Sequence, residues 1–275
     1  MRNIVGDVIL ACRVSRGYEA DISKIFYKTN ENIADLLNAF DFVGKDVLTV
    51  MGSGDQVFHF LNKDPNKVDS FDRNILSIHY YYLRVWCMRY LNEYYPPNGF
   101  DNNFIGELLK IVEPLNDSEV ESFDFWNHYL NEMGNYQGHL LKYPFSQYDN
   151  TIKDIKNINN KTLNPINFYN IDLMDKINIP NKYDYIYVSN IREWIWLKDV
   201  FMRVNYKNNL YNLLKDDGIV ICSTLDHYPV GLDEEQSIFR EQFSFNYVKG
   251  NMDSSDEKYR ISPGYYYQKN KCLIK

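Results

Sequence analysis

The feature that most constrains this chain is a change of pattern within residues 47–58, VLTVMGSGDQVF. Val47 to Met51 is an apolar run broken only by Thr49, the pattern of a buried strand. Gly52, Ser53 and Gly54 interrupt it. From Asp55 the apolar residues Val57, Phe58 and Leu61 fall on one helical face, and the helix must end before Pro65. NKVDSFDRN (66–74) then reads as a short second strand ending in acid at Asp72. ILSIHYYYLRVWCMRYLNEYY reads as a long, strongly apolar helix with Pro96 and Pro97 as its stop. Strand, helix, strand, helix with short joints is the opening of a parallel α/β sheet.

Residues 98–148 break this rhythm. NNFIGELLKIVEPL and EVESFDFWNHYLNEMGNYQGHLLKY read as amphipathic helices, and 149–164 as a polar helix end plus a loop. The rhythm resumes with a third strand over 166–175, ending near Asp172, and a fourth over 183–191. A helix follows over EWIWLKDVFMRVNYKNNLYNLL, then a turn at KDDG and an apolar fifth strand over 218–226. FREQFSFNYVKG is a final helix or strand, and ISPGYYYQKNK supplies closing strands. Ahead of the first strand, residues 18–42 suggest two short helices with a break near Thr29 and Asn30, Asn30 capping the second. The division is an N-terminal helical segment (1–43), a core (44–92 and 166–275) and a helical insertion (93–165).

Composition narrows the partners. The net charge is −7 and no Lys/Arg cluster offsets it, so a broad footprint for nucleic acid is not expected. Cys12, Cys87, Cys222 and Cys272 form no C-x-x-C pair, which argues against a zinc ribbon, a redox motif or a disulfide scaffold; scattered thiols suit a reducing compartment. Gly6 and Asp7 interrupt the apolar start MRNIVGDVILAC, against a signal peptide, and no run approaches the ~18 apolar residues of a membrane helix. The expectation is a cytoplasmic protein without an integral membrane segment; the oligomeric state is left open. The 24 Tyr read first as compositional bias.

In α/β sheets ligands bind beyond the carboxyl ends of the strands. Small residues at 52–54 let a ligand approach the backbone, the following helix N-terminus favours a negative group, and Asp72 can accept hydrogen bonds from both hydroxyls of a ribose. The G-x-G-x-x-G of dinucleotide enzymes lacks its third glycine here, and the phosphate-cradling G-x-x-x-x-G-K-[ST] is absent. S-adenosylmethionine has no pyrophosphate and places a weaker demand on glycine. The turn with acids after the second and third strands looks like the fold that binds it.

VLTVMGSGDQVFHFLNKDPNKVDSFDRN with YDYIYVSNIREWI resembles the S-adenosylmethionine:diacylglycerol 3-amino-3-carboxypropyltransferases of betaine-lipid synthesis and their bacterial relatives. The resemblance runs over roughly residues 25–230 and rests on four features. They are Gly52-Ser53-Gly54, Asp72-Arg73-Asn74, Ser189-Asn190 and an insertion after the second helix. It implies a Rossmann-like, seven-stranded methyltransferase sheet with N-terminal helices. It also implies transfer of a methyl or 3-amino-3-carboxypropyl group to a small-molecule or lipid acceptor. Asp55-Gln56 stands where a typical methyltransferase has a third glycine, and no second domain for the acceptor is expected from these residues.

The candidate cofactor contacts are Gly52, Ser53, Gly54, Asp55, Asp72, Arg73, Asp172, Leu173 and Ser189, and the candidate catalytic residues are Asn190 and His227. Each has a plainer alternative. The glycines can be only a turn, Asp72 can cap the next helix, Asp172 can be a loop acid with Asp175 as its rival, and Asn190 with Glu193 can form a capping box. His227 can act as a base towards an acceptor or be an exposed loop residue. His59 and His79 fit packing or surface roles, His128 and His139 have no metal-ligand companions, and Cys87 and Cys222 suit the core. Tyr27, Lys28 and Asn32 lie where a lid over the cofactor would form. The rival functions are a non-catalytic S-adenosylmethionine-binding protein and, more distantly, an NAD(P)-dependent oxidoreductase.

Overall fold

Seven strands carry the architecture: β1 (Asp46–Val50), β2 (Lys67–Asp72), β3 (Asn167–Asn170), β4 (Tyr183–Tyr187), β5 (Leu214–Ser223), β6 (Phe243–Tyr247) and β7 (Gly264–Lys269). They form one sheet in the order β3-β2-β1-β4-β5-β7-β6. The first five are parallel, and β7 runs antiparallel between β5 and β6. This is the predicted Rossmann-like, seven-stranded methyltransferase sheet. The computed structural model describes residues 6, 25–26, 29, 31–95, 102–133, 141–142, 151–175, 177–189, 200–223, 239–240, 242–248 and 264–270.

The order reverses between β1 and β4. Chain growth moves outward from β1 to β3 through helices α2 (Asp55–Leu61) and α3 (Leu76–Trp86), then returns to β4 and moves the other way through α7 (Val200–Leu213). Right-handed crossovers in opposite directions place these helices on opposite faces and open a crevice at the β1/β4 reversal. Short α1 (Ile33–Leu37) precedes β1, and its cap is Asn32, whose side chain accepts from the Asp35 amide; Asn30 was the expected cap.

Between α3 and β3 the described residues include α4 (Asn102–Leu109), α5 (Asp117–Met133), the short strand Leu141–Lys142 and α6 (Ile155–Lys161). α3 packs against α5, while α6 packs against α2 and the π-helical turn Cys87–Leu91 that extends α3. All eleven residues of α3 are therefore buried, which explains why apolar and aromatic residues stand on every face of it, with Ser77, His79 and Arg84 held by polar partners. Polar contacts fix the docking. Trp126 Nε1 donates to the His79 carbonyl, the His79 ring stacks on Phe125 at 3.9 Å, and Arg89 makes a two-pronged ion pair with Glu119. The packing roles expected of His79, Cys87 and Cys222 hold: all three are buried.

Four readings are corrected. Ile25–Phe26, expected in a helix, is extended and pairs in parallel with Leu141–Lys142. The long second helix ends at Asn92, whose left-handed backbone (φ 57°) stops it before the prolines. Residues 149–164 contain a capped helix, with Asp154 accepting from the Asn157 amide. KDDG is a bulge inside β5, not a turn. Tyr183 pairs with Leu214 and Tyr185 with Ile219, so β5 spends extra residues there. Asp217 takes φ 64° in the bulge, and Lys215 bridges Asp46 and Asp184 at 2.6 and 2.9 Å.

Candidate functional site at the carboxyl ends of the strands

After β1 the chain turns within four residues: the Gly54 amide donates to the Met51 carbonyl at 2.7 Å. Gly52 and Gly54 hold φ of 51° and 85°, a region L-side chains avoid. A Cβ on Gly52 would lie 3.0 Å from Gln56 Nε2. The Gly52 amide donates to Asp72 Oδ2 at 3.0 Å. The glycine turn and the acid of the second strand, singled out separately in the sequence, thus touch.

Asp72 also plays its plainer role. The Asn74 amide donates to Oδ1 and the Ser77 hydroxyl to Oδ2, anchoring the start of α3. Three donors occupy about four lone-pair positions, leaving about one for a ligand rather than the two that a pair of ribose hydroxyls needs. Burial pushes the Asp72 carboxyl above its usual value against the pull of these bonds. Arg73 is exposed beside it. Asn170 at the end of β3 clamps the loop, donating to the carbonyls of Asp72 and Arg73 at 2.9 Å each.

Ser53 is buried within the turn and Asp55 follows directly after it. Asp55 is fully buried and accepts from the Thr29 amide, the Ser53 hydroxyl, Arg84 and the phenols of Tyr94 and Tyr95. Five donors leave it no lone pair for a ligand. Burial raises its pKa, but the Arg84 charge and the Thr29 and Ser53 bonds outweigh it, so the carboxyl stays below its usual value. Arg84 is enclosed by the rings of Phe58, Tyr94 and Tyr95 at 4.6–4.9 Å and also donates to the Ser53 carbonyl. Asp55 supports the turn.

Beyond β3, Asp172 is half-exposed and its Oδ1 accepts from the Met174 amide, while Leu173 is buried. Ile171 N donates to the Asp72 carbonyl, which brings this loop to the second-strand acid. At the end of β4, Ser189 is buried with φ 57°. Asn190, His227, Glu193, Tyr27 and Lys28 lie outside the described residues.

A group that the sequence reading missed stands on the far side of the turn. The Glu31 carboxylate, 1% exposed, is planted over the ends of β4 and β5 and the start of α2. Its Oε1 accepts from the hydroxyls of Ser189 and Ser223. Its Oε2 accepts from Tyr187 at 2.8 Å, Thr29 at 3.3 Å and Gln56 at 3.4 Å. Burial and the Glu31 charge hold the Tyr187 phenol well above its usual pKa, so it remains a donor. In sequence Glu31 is one acid in a polar break, with nothing to mark partners as distant as Ser223.

A separate cavity of about 470 Å³ lies at the sheet edge, lined by Ile75, Ile78 and Ser122 among others, with Asn170 at its border with the crevice. Among the described residues no group of His, Cys, Asp and Glu is arranged to hold a metal ion, and no helix is long and apolar enough to cross a membrane.

No protein-family model matches the chain, and no curated protein matches it. Solved structures do. The N-methyltransferase NodS from Bradyrhizobium japonicum WM9 is 9% identical, with 87% of this chain and 94% of that one covered and a TM-score of 0.44. A TehB-like SAM-dependent methyltransferase from Corynebacterium glutamicum is 12% identical, with 98% and 100% covered and a TM-score of 0.44. A protein from Agrobacterium tumefaciens described as a predicted O-methyltransferase is 8% identical, with 87% and 81% covered and a TM-score of 0.43. These likenesses are distant, and the functional reading stands on the chain's own geometry.

Proposed function

We propose that this chain binds S-adenosylmethionine at the β1/β4 crevice and transfers its methyl or 3-amino-3-carboxypropyl group to a small-molecule or lipid acceptor. The observation that carries the reading is the hydrogen bond that the Gly52 backbone amide donates to the Asp72 carboxylate. It couples a left-handed glycine turn to an acid at the neighbouring strand end, at the reversal of the sheet, where such sheets hold nucleosides.

The residues present fit the group. The turn lacks the phosphate-binding pattern of dinucleotide sites, as a cofactor without pyrophosphate permits. Asp72 keeps about one open lone-pair position for a ribose hydroxyl; Arg73 beside it is exposed and Asp172, just after β3, is half-exposed. When bound, the cofactor supplies an activated carbon and a neutral thioether leaving group. The chain's own contribution is positioning and electrostatics. Gly52 and Gly54 give backbone access, Asp72 orients the sugar, and the Arg84–Asp55 pair holds the turn. Asn190 and His227 are proposed at the acceptor side, as hydrogen-bonding group and base.

A second reading is a non-catalytic S-adenosylmethionine-binding protein. It is favoured by the saturation of Asp55 and Glu31, neither of which has a lone pair to take a proton from an acceptor. Calorimetric titration with S-adenosylmethionine tests the cofactor. Micromolar-range binding is expected, and Asp72→Ala, confirmed as folded by circular dichroism, should abolish it. A folded wild type that does not bind overturns both readings. Mass spectrometry of turnover mixtures then separates them: adenosylhomocysteine marks methyl transfer, methylthioadenosine marks aminocarboxypropyl transfer, and neither with any acceptor leaves the binding protein.

A further inference from the structure

We infer that the cavity at the sheet edge is a second small-molecule site, which takes a compact organic cation: an alkylammonium whose apolar body enters the cavity and whose nitrogen stays at the mouth. The inference goes beyond the cofactor reading and stands apart from it, because Glu121 and the apolar walls take no part in that reading.

Three elements build the walls. Ile75 and Ile78 come from the cap and first turn of α3, Ile166 and Phe168 from β3 and the residue before it, and Ser118, Glu121 and Ser122 from α5. The last three stand at i, i+3 and i+4, so they share one helical face. The volume, about 470 Å³, falls within the ~300–1,000 Å³ of ordinary small-molecule sites. Burial gives the cavity a direction. Ile75, Ile78 and Ser122 are buried and form its floor, whereas Glu121 is partly exposed and Asn170 exposed, which puts them at the mouth.

The polar lining is made of acceptors. Glu121 makes no hydrogen bond and no ion pair among the described residues. Its neighbour Glu119 differs, since Arg89 and Trp86 occupy that carboxylate. Asn170 commits its amide nitrogen to the carbonyls of Asp72 and Arg73, so its oxygen is what it has left to offer. The Ser122 hydroxyl is paired with His79 Nδ1 at 3.1 Å. Among the described residues no Lys or Arg lines the cavity. An anion would therefore meet a carboxylate with no cation to offset it. An ammonium finds a carboxylate and an amide oxygen for its N–H groups, while the isoleucines and Phe168 cover its apolar body.

Calorimetric titration of the full chain with n-hexylammonium, hexanol and hexanoate tests this. The ammonium is expected to bind wild type about tenfold more tightly than the alcohol, with hexanoate weaker than both. Glu121→Gln should bring ammonium and alcohol within about twofold and leave the alcohol unchanged. Ser118→Phe, which fills the cavity, should abolish binding of both; binding that survives in this variant, shown to be folded by circular dichroism, places the amine elsewhere and overturns the site. Should either variant not fold, the other and the wild-type order of the three probes decide. Equal affinity for ammonium and alcohol, a preference that persists in Glu121→Gln, or no binding by any of the three overturns the proposal. So does displacement of the amine by adenosylhomocysteine, since the cavity would then be an arm of the cofactor crevice. Amine binding with this selectivity in a chain that does not bind S-adenosylmethionine leaves this site standing and the cofactor reading fallen.

Discussion

Asp55 shows how a single residue can be picked out for the right place and the wrong task. Its position after the glycines suggested ligand contact, whereas its fully buried carboxylate is the anchor for Arg84. Breaking a buried pair strands a charge, so Arg84→Met is expected to cost about 3–5 kcal/mol in urea unfolding at pH 7. The pH dependence has a definite sign. The folded-state pKa of Asp55 is depressed, so the unfolded chain binds more protons on acidification. The Asp55 contribution is complete above about pH 4, its unfolded value, and fades as pH falls towards the folded one. Asp72 is raised and acts the opposite way, since its protonation favours the folded state. Thermal melts from pH 7 to pH 2 should therefore show a flatter acid decline in Asp55→Asn than in wild type, despite a lower midpoint at neutrality. A parallel decline would remove Asp55 as the source.

Among the elements, α3 joins sheet to insertion, and Glu119 of α5 is the centre of that joint. Buried, it takes both prongs of Arg89, at 2.8 and 2.9 Å, and the Trp86 indole at 3.1 Å. Glu119→Ala should lower unfolding free energy by about 2–4 kcal/mol, and Glu119→Gln by less because the amide still accepts from Trp86. Equal losses would mean that charge alone matters at this joint. What the sequence disclosed about such elements follows their range. The βαβ unit from β1 to β2 was legible, and with it the Gly52–Asp72 register, because its signals lie within about twenty residues and depend on local periodicity. The KDDG bulge was not, since Asp-Asp-Gly has turn chemistry; pairing of Leu214 with Tyr183, thirty-one positions away, overrides it. Glu31 was beyond reach for the same reason, as its partner Ser223 is 192 positions distant.

At the scale of the molecule, the question is whether the insertion stands as a unit of its own. Its apolar residues Ile105, Leu108, Phe125, Trp126 and Tyr129 belong to the same continuous core as Val47, Leu48, Ile186 and Val220 of the sheet. Separating them would expose α3, every residue of which is buried. It would also break polar ties from the insertion: Asn159 to the Met88 carbonyl, and Lys161 to the Leu61 carbonyl and Asp64. Chains of this length often unfold in steps, domain by domain. This one should not, because no cut through its core leaves two sealed halves. Urea transitions followed by tryptophan fluorescence, with Trp126 reporting the insertion, and by far-ultraviolet circular dichroism are expected to superimpose, and calorimetric and van't Hoff enthalpies to agree. A fluorescence change that precedes the loss of secondary structure would show residues 93–165 to be a separable domain that the sheet can survive without.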